Sequence, residues 1–356
     1  MPTVIGRALP SQGVVIGVDP HKASWTAVVV TAGLAPAGEL RVEANRTGYR
    51  QLRRFAAAWS EVRWAIEGAA GLGAPLAERL HADDISVLDV PAKLARRVRL
   101  LSTGQGRKSD PADALSVGIA AWSAPALRTV EVDQAIAALR ALTEHRDDLV
   151  RTRTQLVNRL HVLLVKLVAT GLARGLTAES AAEALRRVRP RDTLGRTFRA
   201  LAVDLLGELR RLDRRIAETT QTLSDAVTAS GSTLTNLLGI GDVVAAKILG
   251  RTGSITRFPS AAAFASFCGV APIEVSSGEV VRHRLSRAGD RQLNYALHVM
   301  ALAQIRYDGP GRSYYQRKRG AGKSHKEAMR CLKRRLSDVV YRTMINDSVS
   351  SLTATA

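Results

Sequence analysis

Two short apolar runs, each closed by an acidic residue, constrain this chain most. Val-Val-Ile-Gly-Val leads into Asp19, and Val-Arg-Trp-Ala-Ile leads into Glu67. Runs of this length and composition predict buried β-strands. Asp110 and Asp113 lie three residues apart at the start of a helical pattern, so they share one helix face. Four carboxylates meeting at strand ends and a helix start would repel one another without divalent cations between them. Oxygen ligands of this kind suit Mg²⁺ or Mn²⁺.

The first 130 residues alternate strand and helix patterns. Strand patterns cover residues 14–19, 24–31, 39–43, 62–67 and 85–90, and helical patterns cover 47–59, 70–82, 92–101 and 110–122. Three strands followed by strands that alternate with helices predict an α/β domain with a mixed sheet. A polar, Gly-rich stretch at 102–109 predicts a mobile loop that delivers Asp110 and Asp113.

Long helices dominate the next hundred residues. Leucines recur at heptad-like spacing from Leu139 to Leu167 and again from Leu201 to Leu223, while Arg146 and Arg153 fill skipped positions of the first seam. This pattern predicts two antiparallel helices that form either a hairpin within one chain or a coiled coil between subunits. We therefore divide the chain into an α/β domain (1–130), a helical coiled-coil region (131–230) and a mainly helical C-terminal domain (231–356).

A Gly-rich turn opens the C-terminal domain. Gly239 and Gly241 flank Ile240 between a leucine pair and an apolar helix, as in a helix-hairpin-helix. The free N–H groups at the start of the second helix predict a contact with a nucleic-acid phosphate. A glycine-capped corner without a ligand is the structural alternative.

The charge balance favours a polyanionic partner. The 356 residues include 52 Lys and Arg but 32 Asp and Glu, a formal net charge of +20. Such an excess favours nucleic acid over an acidic membrane surface, because a spanning helix needs about 20 apolar residues and no stretch here supplies them. Two cysteines, Cys268 and Cys331, argue for a reducing compartment and against a zinc module. We expect a cytoplasmic protein that acts on nucleic acid without a membrane partner.

Basic residues gather around a serine pair and near the C-terminus. Ser276 and Ser277 precede Gly278, and a serine hydroxyl beside guanidinium groups has the chemistry to attack a phosphodiester. The nearly all-positive stretch after residue 306 predicts contact with a phosphate backbone. The residues predicted to bind nucleic acid, together with Gly239 and Gly241, are Lys22, Arg107, Lys108, Arg282, Arg284, Arg287, Arg291, Arg317, Lys318 and Arg319. The seven histidines show no paired ligand spacing, so none is predicted to bind metal.

These motifs resemble the insertion sequence 110 family of transposases. The N-terminal likeness rests on Val-Ile-Gly-Val-Asp-Pro-His-Lys around Asp19, Ile-Glu-Gly around Glu67 and Lys-Ser-Asp-Pro-Ala-Asp-Ala around Asp110. The C-terminal likeness rests on Leu-Gly-Ile-Gly, Phe-Cys-Gly-Val-Ala-Pro, Ser-Gly and Leu-Ser-Arg-Ala-Gly-Asp-Arg-Gln-Leu, which follow in the family's order from residue 238 to residue 293.

The resemblance implies an RNase H-like domain of the kind found in the Holliday-junction resolvase RuvC. In that fold Asp19, Glu67, Asp110 and Asp113 are implied to ligate Mg²⁺ and to act in catalysis. Ser277, which directly precedes glycine, is the implied nucleophile that forms a phosphoserine link to DNA. The implied partners are donor and target DNA, a structured non-coding bridge RNA that acts as guide, and further copies of the chain in a tetramer. Two alternatives stay open: a RuvC-like endonuclease that uses metal-activated water, and an inactive protein that only binds nucleic acid.

Overall fold

The chain forms two compact units, Met1–Val132 and Asp133–Ala356. The structure, a computed structural model, describes residues 13–69, 71–103, 109–124, 127–130, 133–168, 175–275, 283–284, 286 and 289–354. The boundary predicted near residue 130 falls beside the division between the units, and the one predicted near residue 230 lies inside the second unit. The division into three domains stays a prediction.

The first unit is a six-stranded mixed sheet with helices on both faces. Its elements are β1 (Val14–Pro20), β2 (Ser24–Val30), β3 (Pro36–Glu43), α1 (Arg46–Ala57), β4 (Val62–Glu67), α2 (Ala74–Ala82), β5 (Val87–Val90), α3 (Ala92–Thr103), α4 (Asp110–Ser123) and β6 (Arg128–Thr129). The strand order is β3-β2-β1-β4-β5-β6. The first three strands pair antiparallel, and β4 and β5 join β1 in parallel. The predicted mixed α/β class is confirmed.

Side-chain alternation divides the sheet into two cores. Ile16 and Val18 of β1 pack into the core that α1 and α2 cover. Val15 points the other way, into a core with Val117 and Ala121 of α4. Because successive strand residues face opposite sides, every second position of β1 from Val15 onward faces α4.

The packing of α4 on β1 and β2 requires a glycine in β1 and another in α4. A Cβ on Gly17 would lie 2.3 Å from the Ala114 carbonyl oxygen and 2.4 Å from the Gly118 nitrogen. A Cβ on Gly118 would lie 2.3 Å from Val30 Cγ2. The helix therefore rests almost directly on the strand backbone. This contact fixes the start of α4 beside the end of β1.

The second unit is mainly helical. Its elements are α5 (Gln134–Leu167), α6 (Ala178–Arg187), α7 (Thr193–Ala229), α8 (Asp242–Thr252), α9 (Ala261–Phe267), β7 (Ile273–Glu274), β8 (His283–Arg284), α10 (Arg291–Arg306), α11 (Pro310–Gly320) and α12 (His325–Ala354). One core joins α8, α9, α10 and α12 with the beginning of α5 and the end of α7. A separate core lies where α5, α6 and α7 meet. Of the helices in the described ranges, none combines the length and apolar composition needed to cross a membrane.

The helices α5 and α7 pack antiparallel within one chain. Arg153 Nε donates to Asp213 Oδ1 at 2.5 Å, and Arg146 Nε donates to Thr220 Oγ1 at 2.7 Å. Moving back along α5 from residue 153 to 146 thus moves forward along α7. These partners explain how arginine is accommodated on a leucine seam, because each guanidinium keeps a polar contact where leucine would be expected. Of the two arrangements left open above, the structure contains the intramolecular hairpin.

The turn before α8 is built on Gly239. Its φ of +92° is the left-handed region that favours glycine, and a Cβ there would lie 2.8 Å from the Ala303 Cβ of α10. A three-residue 3₁₀ helix at Leu234–Asn236 precedes this turn. Asp242 already places a carboxylate in the first turn of α8, where it accepts a 2.6 Å hydrogen bond from Ser224 Oγ. A nucleic-acid role for Gly239 and Gly241 stays a prediction.

Candidate active site

Asp19, the last residue but one of β1, and Glu67, the last residue of β4, lie at matching positions near the ends of neighbouring parallel strands. Val18 of β1 lies opposite Ile66 of β4, so the two acids occupy the next position on each strand. Val15 and Ala65 belong to the core beneath α4, and alternation puts Asp19 and Glu67 on that same face. Adjacent strands lie about 4.8 Å apart, so the two carboxylates are neighbours at one edge of the sheet.

The start of α4 brings the other two acids to this edge. Ser109 caps the helix, its Oγ accepting from the Ala112 N–H at 3.4 Å, and Pro111 occupies the first turn. Asp110 and Asp113 also lie in the first turn, where the helix dipole stabilises negative charge. The side chain of Asp113 is buried, and that of Asp110 is about a third exposed. This local sequence therefore starts a helix and places an acid pair at its start.

The clearest convergence is between Asp19, His21 and Asp110. Each offers one ligand atom, and these atoms all lie within 4.8 Å of one another. His21 Nε2 is 3.2 Å from Asp19 Oδ2 and 3.3 Å from Asp110 Oδ1. That nitrogen is shielded from solvent, yet the described residues give it no hydrogen bond of normal geometry. A buried imidazole nitrogen between two carboxylates fits a cation ligand, because neutral imidazole and carboxylate are both metal ligands.

Two arginines balance the acids that α4 carries. Arg41 of β3 places Nη1 2.9 Å from Asp110 Oδ2, and Arg99 of α3 forms an ion pair with Asp113. The Arg41 side chain is mostly exposed, whereas that of Arg99 is largely buried. The four acids thus belong to one region with mixed charge, and two of them belong to the group with His21. The assignment of all four as metal ligands stays a prediction.

Several predicted residues lie outside the described ranges. These are Ser277 with its neighbour Ser276, and the basic residues Arg107, Lys108, Arg282 and Arg287. The described residues nearest to the serine pair on either side include β7 and β8, which pair antiparallel with Ile273 opposite Arg284. Lys22, Arg284, Arg291, Arg317 and Arg319 are exposed, and Lys318 is half-buried. Exposed cations fit the predicted contact with phosphates, which stays a prediction.

Three side chains at the acid cluster carry no role in the sequence-based prediction: His21, Arg41 and Arg99. The expectation that no histidine binds metal rests on paired histidine spacing, but His21 joins acids from distant parts of the chain. Its position two residues after Asp19, in the turn that leads into β2, is a signal that points to it. Arg41 and Arg99 carry no comparable signal, because only the packing of β3 and α3 brings them to the acids.

Two family profiles match different parts of the chain, and both describe transposases. A profile of the IS110-type DEDD transposases matches residues 16–168. The profile described as Transposase IS116/IS110/IS902 family matches residues 231–316. The first match covers all four acids of the cluster. The second covers the stretch with Ser277.

Relatives extend the similarity over nearly the whole chain. A 44.8 kDa protein of insertion element IS116 from Streptomyces clavuligerus is 28% identical, over 93% of this chain and 94% of that protein. A 42 kDa protein of insertion element IS900 from Mycobacterium paratuberculosis is 27% identical, over 95% and 97%. The solved structure of Thermus thermophilus RuvC aligns with 33% of this chain and 99% of RuvC, at 13% identity and a TM-score of 0.27. Two transposase profiles and two relatives of near-equal extent agree: the chain belongs to the IS116/IS110/IS902 family of transposases.

Proposed function

We propose that the chain is a DNA recombinase that cuts and rejoins strands through a covalent link to Ser277, assisted by a divalent cation at the acid cluster. The observation that carries the proposal is the convergence of Asp19, His21 and Asp110 within 4.8 Å, with Glu67 in register beside Asp19. Asp19, Asp110 and His21 would hold Mg²⁺ or Mn²⁺, with Glu67 and Asp113 completing the group. The bound cation would supply Lewis-acid stabilisation of charge on the phosphate oxygens.

The serine step exchanges one phosphoester bond for another. Ser277 Oγ forms a bond to phosphorus while the bond from phosphorus to a deoxyribose oxygen breaks. The hydroxyl proton leaves to a base, and the departing deoxyribose oxygen takes up a proton. A deoxyribose hydroxyl of another strand then reverses the step and releases Ser277. Because each step breaks and forms one phosphoester bond, rejoining needs no ATP.

Fold and charge support the further parts of the proposal. The order β3-β2-β1-β4-β5, with the first three strands antiparallel, supports an RNase H-like domain. The net charge of +20 supports two nucleic-acid partners, the DNA substrates and a structured non-coding guide RNA. A homotetramer in which one subunit's acids act with another's serine completes the proposal, on the strength of the family resemblance.

The nucleophile is tested by replacing each serine of the pair. Labelled DNA carrying the end of the insertion element is incubated with protein and the RNA that copurifies with it, and the mixture is run on a denaturing gel. We expect a protein–DNA adduct that disappears in Ser277→Ala, because no other hydroxyl at that position can form the ester. Ser276→Ala, which removes the adjacent hydroxyl, is the matched control and should keep the adduct.

Other outcomes separate the alternatives. Free cut ends that persist in Ser277→Ala, without an adduct in either variant, would favour an endonuclease that uses activated water. Bound DNA that stays intact with the unaltered protein, in Mg²⁺ and in Mn²⁺, would favour a protein that only binds nucleic acid.

A further inference from the structure

Two sequence motifs of the second unit, Phe-Cys-Gly-Val-Ala-Pro and Leu-Ser-Arg-Ala-Gly-Asp-Arg-Gln-Leu, have no role in the steps above, yet Gly269 of the first contacts Gly289 of the second. Gly269 follows α9 and Gly289 precedes α10, and a Cβ on Gly289 would lie 2.4 Å from Gly269 Cα. The Asp290 N–H donates to the Phe267 carbonyl at 2.7 Å, which ties the second motif to the end of α9. Asp290 also caps α10 by accepting from the Leu293 N–H at 2.9 Å. These contacts hold the segment around Gly269 tightly against the segment around Gly289.

A cavity of about 360 Å³ lies beside these two segments, with Gly269 and Asn294 in its lining. Its walls include the turn at Gly269, the segment that leads into β7, the strand β8 and the first half of α12. A volume near this value falls in the range of small-ligand sites, about 300–1,000 Å³. We call this cavity the basic cleft, because six of its lining side chains are cationic: Arg284, Lys323, Arg330, Lys333, Arg334 and Arg335.

The single carboxylate of the lining has a structural task. Glu327 Oε2 accepts from the Ser324 N–H at 2.9 Å, and the Glu327 N–H donates to Ser324 Oγ at 3.4 Å. This reciprocal pair is a capping box at the start of α12. The hydrogen bonds from Ser324 lower the pKa of Glu327. Within the described residues, the only ion pair made by a cation of the lining joins Arg334 to Asp338, so the others keep their charge available.

Lys333 is the most informative of these cations. Its Nζ donates to Asn294 Oδ1 at 2.5 Å, and Asn294 Nδ2 is held in turn by the carbonyls of Cys268 and Gly269, at 3.1 and 3.0 Å. The amide is therefore oriented so that its oxygen faces the lysine. Burial lowers the pKa of Lys333. The Lys333 ammonium is half-buried and held in place by a neutral hydrogen-bond partner. Its charge is therefore not balanced by that partner, and a bound anion would stabilise it.

We propose that the basic cleft binds one backbone phosphate of the DNA strand on which Ser277 acts. The assignment of DNA rests on the proposed function, whereas the anion site rests on the cleft alone. A phosphate matches the lining, because arginine and lysine donate charge-assisted hydrogen bonds to its oxygens. Ala271 and Pro272 lead into β7, and Arg284 belongs to β8, so the cleft borders both arms of the segment that contains Ser277 in sequence. Binding there positions the strand that the serine attacks.

The test is a double-mutant cycle on two walls of the cleft. Lys333→Met on α12 and Arg284→Met on β8 are made singly and together in the Ser277→Ala protein, and affinity for a duplex of the element's end is measured. Each single change should weaken binding about tenfold, since a charge-assisted hydrogen bond contributes about 1.5 kcal/mol. Together they should weaken it by well under a hundredfold, because both hold the same phosphate.

The control pair keeps Arg284→Met but replaces the change at Lys333 by a change outside the cleft. Lys326 lies on α12 and is exposed, outside the lining of the cleft. Lys326→Met combined with Arg284→Met should give the product of the single effects. Lys333→Arg keeps the charge and should bind within about threefold of the parent protein, against about tenfold for the loss of the ammonium. A multiplicative effect of the Lys333 and Arg284 changes, or coupling seen with an RNA duplex and not with DNA, overturns the proposal.

Inorganic phosphate provides a readout that needs no DNA. At matched ionic strength, millimolar phosphate should raise the melting temperature of the full chain above its value in chloride, and the rise should be lost in Lys333→Met. A melting temperature that phosphate does not change overturns the anion site. Because binding is measured with alanine at position 277, these results do not depend on strand chemistry. Failure of the serine adduct and failure of the cleft are therefore separate outcomes.

Discussion

Replacing Asp19 by asparagine will lower DNA strand cleavage about a thousandfold, since a metal-stabilised transition state is worth several kcal/mol. The change keeps the shape of the side chain but removes the charge from the one residue that belongs both to the strand-end pair with Glu67 and to the group with His21 and Asp110. DNA affinity should change by less than about threefold, because backbone binding depends on the basic surfaces. Cleavage and adduct formation at saturating DNA, beside a filter-binding measurement, check both parts.

Glu39→Gln is the matched control for this variant. Glu39 is an exposed carboxylate on β3 of the same sheet and pairs across the strands with Val28. It should cleave at close to the parent rate, because its charge lies outside the group. Equal activity of Asp19→Asn and the parent would remove the acid cluster from the chemistry.

Gly17→Ala should destabilise the first unit by about 3 kcal/mol, the upper part of the range for overpacked cores. The added methyl group would lie 2.3 Å from the Ala114 carbonyl oxygen, and both backbones would have to separate. Since α4 carries Asp110 and Asp113, separation also moves these acids away from Asp19. We expect a lower midpoint in urea and a loss of cleavage at temperatures where the protein is still folded.

Gly33→Ala tests whether this effect comes from the close crossing. Gly33 is exposed in the turn after β2, and the nearest atom to an added Cβ is 3.9 Å away. The free energy of unfolding of the Gly33→Ala variant should lie within about 0.5 kcal/mol of the parent value, as is usual for surface substitutions. A comparable loss in both variants would mean that the crossing of α4 over β1 is not tightly packed.

Local patterns in the sequence predict most of the first unit. The apolar runs before Asp19 and Glu67 predict two of the strands, and the helical pattern over residues 110–122 predicts α4. The short edge strand β6 carries no such pattern, because its two residues, Arg128 and Thr129, are exposed and follow β5 only through pairing. The beginning of β3 at Pro36 was likewise missed, since proline and glycine there read as a turn.

The acids of the site were predictable as a set, but their counter-charges were not. Asp19 and Glu67 can be recognised because each follows an apolar run, whereas Arg41 and Arg99 occupy ordinary polar positions of β3 and α3. The basic cleft shows the same limit. Lys333 looks like one more charge in a basic helix, and only the orientation of Asn294 by two carbonyls distinguishes it.

The arginines at the start of α4 have a consequence for how the protein matures. Arg41 and Arg99 neutralise Asp110 and Asp113 with groups that belong to the polypeptide itself. The repulsion that would otherwise oppose bringing the acids together is relieved during folding, before any exchangeable ion arrives. Folding therefore does not require a cation: the chain should fold in the presence of a chelator, and a cation added afterwards should raise the unfolding midpoint only through its affinity for the folded form. Strand chemistry should begin only when that cation competes with the protein's own guanidinium groups.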